Sequence, residues 1–238
     1  MPPLSAREID LDSPFDLDAD APTRFAEDGF VRLRRLLGPA TVEHFEPIIT
    51  GEVLRLNEDH RPLAERDTYS RAFLLVTNLW RQNDAVRGLV HSRRLAQVAA
   101  RLLGVDGVRL YHDQALYKEP GGGITPWHAD QYYWPFASDR TITVWIPLQD
   151  TPIELGSLEF ARGSHRFESG RDLPISDESE RELQRELLAQ GFAVDRAPYA
   201  VGDASFPLGW TFHRAGPNTS AGARRVMTVI YMDADIVV

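Results

Sequence analysis

From Val108 onward the apolar residues of this chain gather into short runs, Val108 to Lys118, Thr141 to Leu148, Leu158 to Ala161 and Val226 to Asp233, parted by clusters of Gly, Pro and Asp. Runs this short, rich in Val, Ile, Thr, Tyr and Trp, form strands, and a regular series of them settles as a sandwich or barrel. The chain ahead of Val108 has the other period. Gly38-Pro39 opens a stretch with Val42, Phe45, Ile49, Val53 and Leu56 at helical spacing, with Pro where its missing N–H costs nothing. Asn83 is placed to cap a helix carrying Val86, Leu89 and Val90. Ser92 is placed to cap another, carrying Leu95, Val98, Ala99 and Leu102, that Gly104 stops. The predicted layout is helices first, then a mainly β core. One helix interrupts the core: Ser179-Glu180-Arg181-Glu182 reads as a capping box, followed by Leu183, Leu187 and Leu188 on one edge before Gly191.

At 238 residues and 43% hydrophobic the chain can bury one substantial core, so a single domain over residues 23–238 is expected. Residues 1–22 mix acidic residues and prolines without sustained periodicity and read as a flexible acidic arm. They lack the basic start and apolar run of a signal peptide. No stretch approaches the roughly 18 apolar residues of a membrane helix, and the final Asp235-Ile236-Val237-Val238 is no peroxisomal address. A cytoplasmic protein is expected, off the membrane, as a monomer or weak homodimer.

The chain has no cysteine. Disulfides, zinc–thiolate sites, iron–sulfur clusters and cysteine nucleophiles are removed together, and any metal must sit on His, Asp or Glu. A net charge of -9, with Lys118 the only lysine, argues against a nucleic-acid binder, which needs clustered cations to follow the phosphates. A small molecule is the expected partner.

Within Pro126-Trp127-His128-Ala129-Asp130-Gln131, an extended backbone would put His128 and Asp130 on one face, able to share a metal ion. Chance supplies about one such His-x-acid pair in a chain of this composition, so ordinary loop or strand polars are an equally open reading. His213 ends the largely apolar run from Ser205; as a buried imidazole it needs a partner, a metal or a carbonyl. Arg224 opens the strand-like run to Tyr231, where a guanidinium can meet a carboxylate bidentately at a cavity edge, although arginine pairs also make surface salt bridges. Gly121-Gly122-Gly123 reads as a hairpin turn, since neither phosphate-cradling motif accompanies it.

In order along the chain, GFVRL near Gly29, HDQALYKEPGGG from His112, PWHADQYYWP from Pro126, GSLEFARGSH from Gly156 and FHRAGPNTSAGARR from Phe212 resemble the phytanoyl-CoA dioxygenase family, from about Thr23 to Asp233. The resemblance implies a double-stranded β-helix, a cupin-like jelly roll with the N-terminal helices on one outer face. It implies that His128, Asp130 and His213 hold Fe(II) as the catalytic centre, and that Arg224, or its rival Arg225, clamps the distal carboxylate of 2-oxoglutarate. Gln114 and Trp145 would lie beside that co-substrate. Strand alternation would aim His112, Gln114, Leu116 and Lys118 to a common face. Asn218 and Ser220 match the family's N-x-S turn and are expected to shape the loop carrying Arg224, or to be plain turn residues. Where relatives often carry His, this chain has Pro207, which alters the pocket edge.

A two-His, one-carboxylate face leaves three octahedral positions, two for 2-oxoglutarate and one for O2. The implied activity is hydroxylation of an unactivated C–H bond in a specialised metabolite or an acyl- or amino-acid-derived substrate, with release of succinate and CO2. Desaturation, epimerisation and ring formation share the hydrogen-abstraction step. Tyr132, Tyr133, Trp134 and Phe136, with Lys118, are candidates to line the substrate pocket; packing between the sheets is the competing reading of the aromatics. The helix after Ser179 would fall near the barrel mouth, as a lid or a static surface helix. Asp130 argues against a halogenase, which needs a small residue there. Outside this activity stand a catalytically silent binding barrel and a zinc-dependent hydrolase on the same triad. The hydrolase would give Arg224 and Gln114 no shared purpose. Acidic net charge disfavours a polyanionic CoA ester.

Overall fold

The computed structural model describes residues 9–236. The helices are α1 (Ala21–Asp28), α2 (Pro39–Leu56), α3 (Thr68–Ala72), α4 (Asp84–Val90), α5 (Arg93–Leu103) and α6 (Asp177–Ala189). The strands are β1 (Phe30–Leu33), β2 (Leu74–Thr77), β3 (Val108–Tyr117), β4 (Thr125–His128), β5 (Thr141–Pro147), β6 (Leu158–Ala161), β7 (Val194–Arg196), β8 (Ala204–Pro207), β9 (His213–Ala215) and β10 (Val226–Asp233). Helix boundaries follow local chemistry. Pro39 follows an extended Gly38 into α2; the Asn83 side chain accepts the N–H groups of Ala85 and Val86; Ser92 accepts that of Leu95; and Gly104, at φ 66°, ends α5 in the left-handed region.

Two antiparallel sheets face each other, one of six strands in the order β1-β8-β5-β10-β3-β2 and one of four in the order β4-β9-β6-β7. This is a jelly roll, the double-stranded β-helix that the motifs imply. Period-two alternation sorts β10 between two environments. Met227, Val229 and Tyr231 join Phe45, Ile49, Val53, Leu89, Leu95 and Val98 of the helices in the main core on the outer face of the large sheet. Val226 points inward with Trp145 against Leu158, Phe160 and Ala215 of the facing sheet. Removing apolar surface from water at roughly 25 cal/mol per Å2 makes these two layers the main source of stability.

Several expectations are corrected. The first third is not wholly helical, because β1 and β2 supply the two edges of the large sheet. Gly121-Gly122-Gly123 makes no hairpin: β3 pairs with β10 and β2 while β4 pairs with β9, so the turn carries the chain from one sheet to the other. The capping box of α6 lies one turn early, with Ser176 and Ser179 each accepting the other's backbone N–H. Of the arm expected over residues 1–22, residues 1–8 lie outside the described residues and the remainder is docked. The Leu11 carbonyl accepts from Arg94 N (3.0 Å) and Ser92 Oγ (2.5 Å), Asp10 pairs with Arg94, and Leu17 and Ala21 are buried in the main core. The apolar residues between the acids, spaced too irregularly to signal a helix, are what bind this segment down.

Candidate active site

The paired strands β4 and β9 set His128 directly opposite His213. Each imidazole is fixed through Nδ1 by a backbone carbonyl two residues earlier, Pro126 at 2.7 Å and Thr211 at 3.0 Å. With Nδ1 as donor, each Nε2 presents its lone pair to the space between the sheets. Ala129 stays extended at φ -120° and ψ 132°, and a short 3-10 turn from Asp130 to Tyr133 then turns the Asp130 carboxylate toward both rings. Asp130 Oδ1 lies 3.6 Å from His128 Nε2 and 3.7 Å from His213 Nε2, too far to be hydrogen-bonded to either. Its Oδ2 accepts a 2.8 Å hydrogen bond from Thr143 Oγ1. One ligand atom from each of the three lies within 4.8 Å of the others. Burial, followed by the neighbouring His213, pushes His128 down to about 4, so its imidazole is neutral at physiological pH, the form that ligates. Converging donors that do not satisfy one another, two nitrogens and a carboxylate oxygen with no thiolate, fit a divalent iron.

These residues line a cavity of about 190 Å3 that also receives Arg224. Arg224 is buried; Nη1 donates to Gly156 O at 2.5 Å, Nε has no partner, and the guanidinium sits 5.7 Å from the Trp145 ring centre. No carboxylate of the described residues is ion-paired to it, and burial lowers its pKa to about 10. A desolvated cation lacking an anion is costly, which marks a place where an anionic ligand is gained at high value. Arg225 points to the opposite face, bonded to Glu46 Oε1 at 2.6 Å and Gln149 Oε1 at 2.5 Å. Between Arg224 and the triad, Gln114, Thr228 and Trp145 lie side by side on β3, β10 and β5. All three line the cavity.

The substrate candidates divide. Tyr133 and Trp134 line the cavity, and the Tyr133 hydroxyl accepts from Ile175 N at 2.8 Å. Tyr132 does not line it, since the 3-10 turn sends it outward, where it is exposed. Phe136 packs edge-on to Tyr111 at 4.6 Å, behind the wall. Lys118 is buried yet is no lining residue: Nζ donates to Gly123 O (2.6 Å), Gly216 O (2.8 Å) and Thr125 Oγ1 (3.2 Å). Burial and then the charge of Arg224 hold its ammonium well below the usual lysine range. Asn218 does staple the loop ahead of Arg224, donating to the carbonyls of Lys118, Glu119 and Gly222 and accepting from Ser220 N and Oγ. Thr143 was legible but missed, lying two residues from Trp145 on the same face of β5. Tyr69 and Phe73, by contrast, reach the cavity from α3 and its end with no local signal.

The body of α6 does not cover the mouth. Leu183 and Leu187 pack on Trp127, Ala161 and Phe212, on the side of the small sheet away from the cavity. Glu180 accepts from Trp127 N at 2.9 Å and Arg214 Nη1 at 2.8 Å, so the helix props the ligand strands from behind. Only Ile175, ahead of the helix, reaches the cavity.

Two solved structures share this arrangement at the level of fold and sequence. One is SnoK, a non-heme alpha-ketoglutarate-dependent carbocyclase from nogalamycin biosynthesis, with TM-score 0.79 and 27% identity over 94% of this chain and 88% of that one. The other is the epimerase SnoN in complex with Fe3+, alpha ketoglutarate and nogalamycin RO, with TM-score 0.76 and 25% identity over 91% of this chain and 83% of that one. A probable alpha-ketoglutarate-dependent hypophosphite dioxygenase of Stutzerimonas stutzeri is 28% identical over 165 residues, 64% of this chain and 54% of that protein. A phytanoyl-CoA dioxygenase domain-containing protein 1 of Danio rerio is 26% identical over 62% of this chain and 52% of that one. The chain therefore spans about half the length of the curated relatives it matches. The phytanoyl-CoA dioxygenase (PhyH) family pattern runs through residues 25–226, from the middle of α1 to the first residue of β10, and with it the chain belongs to that family.

Proposed function

We propose that this protein is a non-haem Fe(II), 2-oxoglutarate-dependent oxygenase that oxidises a C–H bond of a small molecule, hydroxylation being the basic outcome. One observation carries the reading: a buried arginine with no carboxylate partner among the described residues shares a cavity with two imidazoles and a carboxylate that converge without bonding one another. His128, Asp130 and His213 hold the metal, Arg224 takes the distal carboxylate of 2-oxoglutarate, and Gln114, Thr228 and Trp145 flank its body. Iron with 2-oxoglutarate and O2 supplies oxidative decarboxylation to succinate and CO2 and an oxidant able to take hydrogen from carbon.

The protein's own part is positioning and exclusion of water. The Pro126 and Thr211 carbonyls lock each imidazole in one tautomer, and Thr143 holds the Asp130 carboxylate in one rotation. Trp145 and the aromatic rim keep the interior dry, so Arg224 acts on its partner in a low dielectric. A zinc hydrolase on the same triad leaves a buried unpaired Arg224 without a purpose. The epimerase SnoN, bound to nogalamycin RO, is a relative in keeping with a small-molecule substrate. Among the described residues no helix is long and apolar enough to cross a membrane, and a cytoplasmic site of action is proposed with the activity.

The test is anaerobic addition of Fe(II) and 2-oxoglutarate to metal-free protein, reading the visible charge-transfer absorption of the chelate. The wild type develops it; Asp130→Ala loses it with the metal, and Arg224→Ala loses it at co-substrate concentrations that saturate the wild type. Bound metal without absorption in the wild type would sink the reading.

A further inference from the structure

Part of the cavity is left without a role once metal and co-substrate are placed. Along β10 the inward positions follow a strict order. Arg224 lies opposite Lys118 at the strand's start, Thr228 lies between Gln114 and Trp145, and Ile230 lies between His112 and Thr143. Because Thr143 holds Asp130, the His112 row is at the level of the metal ligands, on the side away from Arg224. A co-substrate stretched from Arg224 to the metal ends before reaching it. His112 therefore faces the region that the oxidisable carbon must occupy.

His112 lines this region with Nε2 enclosed and without a hydrogen-bond partner among the described residues. Its ring is held edge-on to Tyr111 at 4.7 Å, and its backbone is fixed in the ladder with Ile230. A buried polar atom left unpaired on a rigid strand, in a residue that lines a cavity, is a bond left for a ligand to supply. The surrounding wall is aromatic and apolar: Tyr69, Phe73, Tyr111, Trp134, Ile175 and Pro207. Among the described residues Asp130 and Arg224 are the only Asp, Glu, Lys or Arg side chains in the lining, and the proposed function commits both. A charged substrate group entering here would lose its water and meet no counter-charge.

We propose that His112 is the hydrogen-bonding anchor for the substrate, and that the part entering the cavity is an uncharged, apolar or aromatic ring system carrying a hydroxyl or carbonyl group. The inference rests on the oxygenase reading and deepens it. The imidazole serves as donor or acceptor according to tautomer, and burial, pressing it toward the neutral form, suits an uncharged partner. A ring lying against the Tyr111–Trp134 pair, whose own rings meet edge-to-face at 6.3 Å, is recognised by its face, with His112 fixing which edge turns toward the metal.

The experiment uses the full chain with Fe(II) and saturating 2-oxoglutarate, without oxygen, and three probes: 2-naphthol, naphthalene and 2-naphthoate. Binding is read as perturbation of the charge-transfer band and as quenching of tryptophan fluorescence. The band itself must first form in the wild type, His112→Phe and His112→Gln; its absence in the wild type would strike the oxygenase reading instead. 2-Naphthol is expected to bind about tenfold tighter than naphthalene, a factor matching one hydrogen bond, with 2-naphthoate weakest. His112→Phe abolishes the preference for naphthol while leaving naphthalene affinity in place, and His112→Gln restores part of it. An unchanged naphthol-to-naphthalene ratio in His112→Phe overturns the proposal. So does tighter binding of the carboxylate, or no binding of either neutral probe.

Discussion

Outside the six-stranded sheet, α2, α4 and α5 close over Met227, Val229 and Tyr231 in one buried apolar layer. Inside, the alternate residues of the same strands face a cavity whose residues carry polar atoms without a hydrogen-bond partner among the described residues: Arg224 Nε, His112 Nε2 and the Nε2 atoms of His128 and His213. Arg224 and Arg225 show the contrast within one dipeptide. Arg225 meets Glu46 and Gln149 on the helix side, whereas Arg224 is buried on the cavity side with no carboxylate of the described residues paired to it. One face satisfies itself on folding; the other is satisfied only by what binds. The pleat of a strand, turning successive side chains to opposite faces, keeps the two jobs from interfering.

The largest effect is expected where that contrast is sharpest. Arg224→Met should weaken 2-oxoglutarate binding by on the order of 100-fold or more, the scale for removing one partner of a buried charge pair. The same change should leave unfolding in urea unaffected or move it to higher concentration, because an uncompensated buried charge is lost. Arg225→Met should do the opposite: unchanged co-substrate affinity, with stability lower by about 0–1 kcal/mol, since its pair with Glu46 is partly exposed. If Arg224→Met destabilises as an ordinary core truncation while still binding 2-oxoglutarate, the two faces do not differ as argued.

Next in size is the closed face. Ile49 is fully buried on α2 in the main core. Ile49→Ala should cost about 2–5 kcal/mol, the transfer and cavity terms together. The fraction that remains folded should take up Fe(II) and 2-oxoglutarate as the wild type does, measured by anaerobic titration at low temperature. Altered affinity per folded molecule would show that the helix layer tunes the site through the sheet.

What could be read from sequence follows the same division. α2 and α5 were legible because each carries a full apolar stripe with its own start or stop signal, and β3, β5, β6 and β10 because their runs are long or sharply bounded. β1 and β2 were not, since four residues beside helical stretches carry too little period to stand out. The glycine run after Glu119 has the local look of a hairpin; only the distant partners of β3 and β4 reveal a crossing between sheets. The convergence of His128, Asp130 and His213 was legible through motif order, but which of Arg224 and Arg225 faces the cavity depends on register with β3 and β5, a non-local fact. Tyr132 was grouped with its neighbours because all of them follow His128 and Asp130 directly, and it is the 3-10 turn from Asp130 to Tyr133 that separates it from the lining. His112 was aimed correctly by alternation, but its open nitrogen depends on the absence of partners from elements far away in sequence.

The smallest of these effects tests whether the cavity face positions its ligands by hydrogen bonds or by backbone alone. Thr143 Oγ1 donates to Asp130 Oδ2 from β5, while Asp130 itself stands on a short turn after β4, so the bond joins the two sheets at the metal. Thr143→Val keeps the volume and the β-branched shape but frees the carboxylate to rotate away from the histidines. Metal affinity, followed by competition with a chelator, should fall about tenfold, the lower end for loss of a group that orients a ligand. Thr143→Ser, which keeps the hydroxyl, should remain close to wild type, and the main core should report little change in unfolding for either variant. Equal metal binding in Thr143→Val would mean that the 3-10 turn alone aims Asp130, and that the open polar atoms of the inner face are organised by the strands without help from one another.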